Sequence, residues 1–233
     1  MHGRESTLTA PPPTEPALSP FVERVFACSP EVAAAIVRRA ADRAWPARAV
    51  IIRQGDDCSE TYLLVDGRAH ALLYGAEGQF VLLHEFEPGD VFGAVAEAKA
   101  VAEEAEVVAV DDVRAAIFLA LDFLALIEAH GCVGLALSRM LLKRLRAATD
   151  KMVERVTLSA GGRVHAELLR LARLGDGTSI RPAPVISALA VRVQSTRETV
   201  SRTVNALERR GLIRRDPDAL VIVAPHRLEA MIV

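Results

Sequence analysis

The stretch Ser195-Thr196-Arg197-Glu198-Thr199-Val200-Ser201-Arg202-Thr203-Val204-Asn205-Ala206-Leu207-Glu208-Arg209-Arg210-Gly211-Leu212-Ile213 decides how this chain is read. Val200, Val204 and Leu207 recur at i, i+4 and i+7, the spacing of one buried helix face. Ser195 or Thr196 can cap the start, and Ser195 with Glu198 has capping-box spacing. Gly211 stops the helix. Arg197, Glu198, Ser201 and Arg202 stand off the buried stripe near the N-terminal end, which a recognition helix presents to base edges in the major groove. The spacing predicts the second helix of a DNA-binding helix-turn-helix.

Working outward, Val185 to Val193 reads as the first helix of that motif. Arg214-Arg215-Asp216-Pro217-Asp218 lies between Leu212-Ile213 and Leu220-Val221-Ile222-Val223, the pattern of a strand, a turn and a strand, hence a wing. Pro225 opens a short last helix. Upstream, Ser159 caps a helix whose core face is Val164, Leu168, Leu169 and Leu171. Gly175-Asp176-Gly177 ends it, and Pro182 and Pro184 mark a loop. Before it, from about residue 121, runs a long helical stretch. Leu135, Ser138, Leu142, Leu145, Thr149, Met152 and Val156 follow 3-4-3-4 spacing there, a coiled-coil seam that predicts a parallel homodimer.

The first half is different. Pro11-Pro12-Pro13, Pro16 and Pro20 predict an extended lead-in over residues 1–20. Ser29-Pro30 starts a helix with Val32, Ile36 and Val37 on one face, and Pro46 is expected to end it. Val50-Ile51-Ile52, Tyr62 to Val65, Ala69 to Tyr74, Phe80 to His84, Val107 to Val110 and Val113 to Phe118 read as short strands. Asp66-Gly67, Gly75 to Gly78 and Pro88-Gly89-Asp90 are the turns between them. Many short strands with regular turns suggest a barrel or roll. The expected class is α+β: a flexible segment 1–20, a β-roll sensor 21–120, a dimerisation helix 121–158 and a winged helix-turn-helix 159–233.

Composition narrows the function classes. The chain of 233 residues is 51% hydrophobic and only 4% aromatic. No apolar run reaches the roughly 18 residues of a membrane span, and the N-terminus lacks a signal-peptide core, so a cytoplasmic protein without membrane contact is expected. Cys28, Cys58 and Cys132 are odd in number and far apart, with no CxxC, so they read as reduced thiols rather than zinc or cluster ligands. An exposed redox role for Cys58, beside Asp56-Asp57 at a turn, is disfavoured, because the neighbouring carboxylates would raise its pKa and make it sluggish. The net charge of -2 hides an asymmetry: residues 159–233 carry 12 arginines against 7 carboxylates. A basic end on an acidic remainder suits a nucleic-acid reader joined to a control domain. Ser159, Ser195 and Ser201 lack a nucleophile-elbow context and the histidines lack metal spacing, so an enzyme is not expected.

The order of roll, dimer helix, connecting helix and winged helix-turn-helix resembles the bacterial Crp-Fnr family of transcription regulators over roughly residues 21–224. Gly55, Gly67, Gly89 and Gly93 fit the family's roll, with Gly89-Asp90-Val91-Phe92-Gly93 matching its usual turn. Lys143-Arg144-Leu145 and Gly162-Arg163 also fall where the family places similar residues. The resemblance implies base reading by Arg197, Glu198, Ser201 and Arg202, with Arg on guanine O6/N7 and Glu on cytosine N4. It implies palindromic operators with TGTGA- or TTGA-like half-sites. Ser195, Thr196, Arg192, Arg209 and Arg215 are candidate phosphate contacts, and RNA polymerase is the implied protein partner. Two positions depart from the pattern: Gln194 stands where the turn often has Gly, and Val185 replaces the usual hydroxyl cap.

The same resemblance places a cyclic-nucleotide cassette after Phe92-Gly93. There Ala94 stands near the expected carboxylate, with Glu97 as a displaced substitute, and Glu103-Glu104 stand near the expected Arg-Ser pair. A cyclic phosphate would meet two carboxylates instead of a guanidinium fork. On the dimer helix, Ala148-Thr149 replaces a Thr-Ser pair that reaches the purine, so Thr149 keeps half of that contact. The expectation is a regulator not controlled by cyclic AMP, with no metal or other cofactor and an effector still to be identified. Haem is not expected, because His70, His84 and His130 read as structural histidines. The alternative is a small-molecule or cyclic-nucleotide sensor whose output is a protein partner.

Overall fold

The structure, a computed structural model, describes residues 15–75, 80–95 and 101–232. Helices α1 (Glu15–Phe26) and α2 (Pro30–Val37) lead into strands β1 (Ala41–Trp45), β2 (Val50–Ile52), β3 (Asp57–Cys58), β4 (Glu60–Asp66), β5 (Ala69–Tyr74) and β6 (Phe80–Phe86). Strands β7 (Val91–Gly93), β8 (Val101–Ala102), β9 (Glu106–Ala109) and β10 (Val113–Leu119) follow, then helices α3 (Ala120–Ala129), α4 (Gly131–Thr157) and α5 (Ala160–Arg173). The chain ends with β11 (Ser179–Ile180), α6 (Ile186–Arg192), α7 (Arg197–Arg209), β12 (Ile213–Arg215), β13 (Leu220–Ile222) and α8 (Pro225–Glu229). It divides into two compact units, with the boundary after Lys143, inside α4.

In the N-terminal unit, β1-β10-β4-β7 and β2-β9-β5-β6 form two four-stranded antiparallel sheets, and β3–β8 is a separate two-stranded pair. This is the predicted roll. The first sheet is covered on both faces, which is why β4 and β10 read as continuous apolar runs. Successive side chains of a strand point to opposite faces. Leu63, Val65, Ala116 and Phe118 therefore pack under the helices with Phe26, Ile36, Phe123 and Leu126. Tyr62, Leu64, Val113 and Ile117 point into the roll with Ile52, Phe86, Phe92 and Val107. Burying a large apolar side chain stabilises by roughly 1.5–3 kcal/mol, so these two strands anchor both clusters. Gly93 takes a left-handed φ of 83°, and a Cβ there would lie 2.5 Å from the Glu60 carbonyl oxygen, so only glycine lets β7 close against β4.

In the C-terminal unit one cluster gathers Val164, Leu168, Leu189, Val200, Val204, Leu207, Leu212, Leu220 and Leu228. Helices α5, α6, α7 and α8 surround it with the sheet β11-β13-β12. The core faces predicted for α5 and α7 are buried there, apart from Leu171, which is partly buried at the edge, and the wing is β12–β13.

Several expectations are corrected. Residues 15–20 are helical rather than extended, and α1 carries Pro20 inside it. Pro46 does not end a helix: α2 stops at Val37, and β1 intervenes. The alternation-poor sequence of β1, Ala-Asp-Arg-Ala-Trp, concealed a strand that is held by pairing with β10. The long helix is two helices, α3 and α4, bent by 109° at His130. Short strands β3, β7, β8 and β11 have too few residues to show a period. Val50 to Ile52, β4, β5, β6, β9 and β10 lie where the apolar runs predict strands. The triple proline at 11–13 and Glu97 lie outside the described residues.

The turn between α6 and α7 carries a strained residue. Gln194 has φ 48°, the left-handed region, and its side-chain Oε1 is buried without a hydrogen-bond partner among the described residues. We predict that Gln194→Gly stabilises the protein by about 1 kcal/mol and raises Tm by about 3 °C. Thermal unfolding of the two proteins side by side checks this, and an equal or lower Tm for the variant contradicts it.

Candidate nucleic-acid interface

The recognition helix begins at Thr196, not Ser195. Thr196 has extended backbone angles and its Oγ1 accepts from the Thr199 N–H at 3.2 Å, so the Ser195–Glu198 capping box does not form. Thr196 Oγ1 also lies 3.0 Å from the Thr199 hydroxyl. Ser195 instead serves the turn, its N–H donating to the Ala190 carbonyl at 3.0 Å.

Arg197, Glu198 and Arg202 are exposed on the first turns of α7. Neither Arg197 nor Arg202 makes an ion pair within 4 Å among the described residues, so their donor forks remain open to a ligand. Glu198 is held as a carboxylate: its own backbone N–H and the Thr196 hydroxyl lower its pKa, and Arg197 and Arg202 add to the effect. Two guanidinium groups flanking an ionised acceptor can match guanine and cytosine edges. Ser201 sits apart from these three. It lines a cleft of about 480 Å³ with Val185, Asn205, Arg215 and Asp216, between α6, α7 and the wing.

The candidate phosphate contacts divide by what already holds them. Arg215 donates to Asn205 Oδ1 at 2.7 Å and pairs with Glu208 at 3.4 Å, which ties the wing to α7. Arg192 lies 3.7 Å from Glu167 and is mostly buried. Arg209 is exposed and makes no ion pair among the described residues. Asn205 was missed by the sequence reading. Its signal was its place one turn beyond Ser201 and Arg202, but its partner on the wing is not visible in linear order.

Support for the helix comes from Arg163, whose Nε donates to the Val193 carbonyl and Nη1 to the Leu158 carbonyl, both at 3.0 Å. One guanidinium thus joins the start of α5 to the C-cap of α6. Val185, the N-cap of α6, makes no side-chain cap bond, as a β-branched apolar residue must.

On α4 all seven seam positions fall in one unbroken helix of 27 residues. Leu135, Leu142, Leu145, Met152 and Val156 are exposed, between 51% and 81%. Ser138 and Thr149 return their hydroxyls to the carbonyls of Gly134 and Leu145.

In the roll, Ala94 is buried and its N–H donates to the Glu60 carbonyl. Glu103 is half-buried beside the Cys58 thiol, and burial pushes its carboxyl pKa up; Glu104 is exposed. Cys58 is itself buried, which argues against the exposed redox thiol already disfavoured on sequence, and donates to the Glu60 carbonyl; burial raises its pKa. The interior carries an aromatic stack: Tyr62 lies 5.2 Å from Phe92 with parallel rings, and Phe92 lies 4.5 Å from Phe86. His70 faces Glu85 at 3.7 Å, His84 faces Asp90 at 3.9 Å, and His130 caps α3. Among the described residues, no three His, Cys, Asp or Glu side chains converge to hold a metal. No single helix among them is long and apolar enough to cross a membrane.

Comparison with known proteins matches residues 42–130 to the cyclic nucleotide-binding domain and residues 162–231 to the Crp-like helix-turn-helix domain. The Cyclic AMP receptor protein of Thermus thermophilus is 31% identical over 187 residues, covering 80% of this chain and 86% of that protein. Among solved structures, a variant of CooA from Carboxydothermus hydrogenoformans superposes with a TM-score of 0.74 at 16% identity, covering 85% of this chain and 90% of that one. FixK2 from Bradyrhizobium japonicum gives 0.69 at 20% identity, covering 83% and 98%. These two likenesses establish the fold.

His165, on α5, gives this unit a pH signature. Its pKa is lowered from 6.5, chiefly by burial; the Met231 carbonyl opposes the shift and Arg210 reinforces it. The folded protein therefore resists protonating it, while the unfolded chain does so from about pH 6.5 downward. Stability from this group is intact above that pH and is lost as pH falls below it. Between pH 7.5 and 5.5, Tm is expected to fall more for the wild type than for His165→Gln; equal falls in the two proteins contradict the assignment.

Proposed function

Because this chain belongs to the Crp-Fnr family of DNA-binding transcription regulators, we propose that it acts as a homodimer on a palindromic operator, without control by cyclic AMP. The observation that carries the operator reading is the outward face of α7. Among the described residues Arg197 and Arg202 make no ion pair within 4 Å, and they flank a carboxylate held ionised at Glu198. Each recognition helix enters one major groove, the two lying about 34 Å apart on one face of the duplex. Arg209 supplies phosphate contact without losing an existing pair. Arg192 and Arg215 would exchange Glu167 and Asn205 for phosphate, so they add less to affinity. Ser201 reads bases only where DNA closes over the cleft it lines.

Dimerisation is supported by the exposed seam of α4, since a second copy of the same helix buries Leu135, Leu142, Leu145, Met152 and Val156 in register. RNA polymerase is the partner through which a bound dimer regulates.

Independence from cyclic AMP rests on the roll. A buried Ala94 offers no carboxylate to a ribose, and Glu103, at the position where the resemblance expects a guanidinium, has no donor fork to give a phosphate. The aromatic stack occupies interior volume as well. The match to the cyclic nucleotide-binding domain favours the rival, a nucleotide-triggered sensor.

Selection of bound duplexes from a random pool is expected to recover an inverted repeat with wild-type protein. Arg202→Ala and Arg197→Ala should each weaken binding about 5- to 100-fold and relax one base position per half-site. A wild-type pool without an inverted repeat overturns the operator reading. Calorimetry of the full chain with cyclic AMP is expected to give no heat of binding, and micromolar affinity overturns the independence.

A further inference from the structure

Asn205 stands off the buried face of α7, although no motif marks it. At about 3.6 residues per turn it lies two turns after Glu198 and one turn after Ser201 and Arg202. Val200, Val204 and Leu207 are buried. Asn205 is partly exposed and lines the cleft of about 480 Å³ beside Ser201 and Arg215.

Its side chain is not free to turn. Arg215 Nη2 donates to Asn205 Oδ1 at 2.7 Å, and Arg215 Nη1 lies 3.4 Å from a Glu208 carboxylate oxygen. The guanidinium on strand β12 thus holds two residues of α7 at once. A guanidinium carries donors and no acceptor, so the amide can meet it only with its oxygen. That fixes which end of the amide is which. The Nδ2 end is turned away from Arg215 and makes no hydrogen bond within 3.5 Å among the described residues. An unrestrained asparagine offers a donor and an acceptor side by side, the pair that suits adenine N7 and N6. Here the acceptor is engaged by the wing, and what remains for a ligand is a pair of N–H donors.

We propose that Asn205 is a further base-reading residue of α7, that Arg215 is its positioning residue, and that together they select a keto base, guanine or thymine, in each half-site. The proposal rests on the reading of α7 as the helix that enters the major groove. Guanine shows O6 and N7 there and thymine shows O4, all of them acceptors. Adenine and cytosine present an amino group, which would face the Nδ2 donors with nothing to receive its hydrogen. An amino group stripped of water and left unpaired is what disfavours those bases. Glu208 contributes by balancing the Arg215 charge, so that leaving α7 for a phosphate costs Arg215 two contacts.

The test selects bound duplexes from a random pool with full-length wild type, Asn205→Ala, Asn205→Asp and Arg215→Ala, alongside Arg197→Ala and Arg202→Ala. The wild-type repeat is expected to hold one keto position per half-site that survives in the Arg197 and Arg202 variants. In Asn205→Ala, discrimination at that position should fall about 5-fold or more. Asn205→Asp keeps a partner for Arg215 and hence the wing in place, but brings only acceptors. The position should then turn to cytosine, whose N4 donates. Arg215→Ala releases the amide oxygen, so adenine should enter at the same position while the bases read by Arg197 and Arg202 stay unchanged. A strut that only holds the wing would not produce that exchange of bases. Asn205 variants that keep every wild-type base preference, or that weaken all sequences equally, overturn the proposal. An Arg215→Ala pool without adenine at that position overturns it too. A wild-type pool lacking an inverted repeat overturns the operator reading and this inference with it, whereas an intact repeat indifferent to Asn205 overturns this inference alone.

Discussion

The C-terminal unit hangs on one left-handed residue. Gln194 must reverse the chain between α6 and α7, and a residue with a Cβ does so at a cost. The cost is met locally: Ser195 and Gln194 donate to the Ala190 and Val191 carbonyls, and Arg163 takes the Val193 carbonyl. Together these bonds satisfy the end of α6 and set the direction in which α7 leaves. The buried stripe of Val200, Val204 and Leu207 then fixes the rotation of α7 about its axis. With direction and rotation set, Arg197, Glu198 and Arg202 have nowhere to point but outward.

A parallel constraint organises the roll. Strands β4 and β10 are buried on both faces, so each residue has a partner fixed by the pleat. The helices α1, α2 and α3 and the start of α4 belong to one face, and the aromatic stack belongs to the other. Cys28 and Cys132 both pack against the first of these faces, and Ala94 and Cys58 are enclosed by the second. A change at Leu63 or Phe118 therefore acts on the helical side, and a change at Tyr62 or Ile117 acts on the interior.

Electrostatics separates the two arginine populations of the C-terminal unit. Arg214 forks onto Asp216, Arg181 meets Asp218, and Arg215 meets Asn205 and Glu208. These exposed pairs are each worth little to stability, but they commit the wing arginines to shape. The net excess of arginine legible in composition is thus not a uniform field. Among the described residues its unpaired part includes Arg197, Arg202 and Arg209 on α7.

Local order made much of this legible. The helical stripe of α7, the seam of α4, the Ser159 cap and the turn-bounded strands are short-range patterns, because their periods repeat within a few residues. Even the strained turn was visible as a glutamine standing at a glycine position. Strand β1 and the bend at His130 were not legible: one is held by its partner β10 and the other by packing of α3 and α4 on a common core. The capping choice between Ser195 and Thr196 also needed the backbone, since both residue types suit the role.

The sequence by itself determined the kind of fold, the face of α7 that meets solvent and the cap of α5 at Ser159. All of these depend on residue type at a known spacing. Only the tertiary structure decided that Cys58 is buried and that Arg215 belongs to Asn205. Those are contacts between residues far apart along the chain, and no period or motif records which distant side chains the folded core brings together.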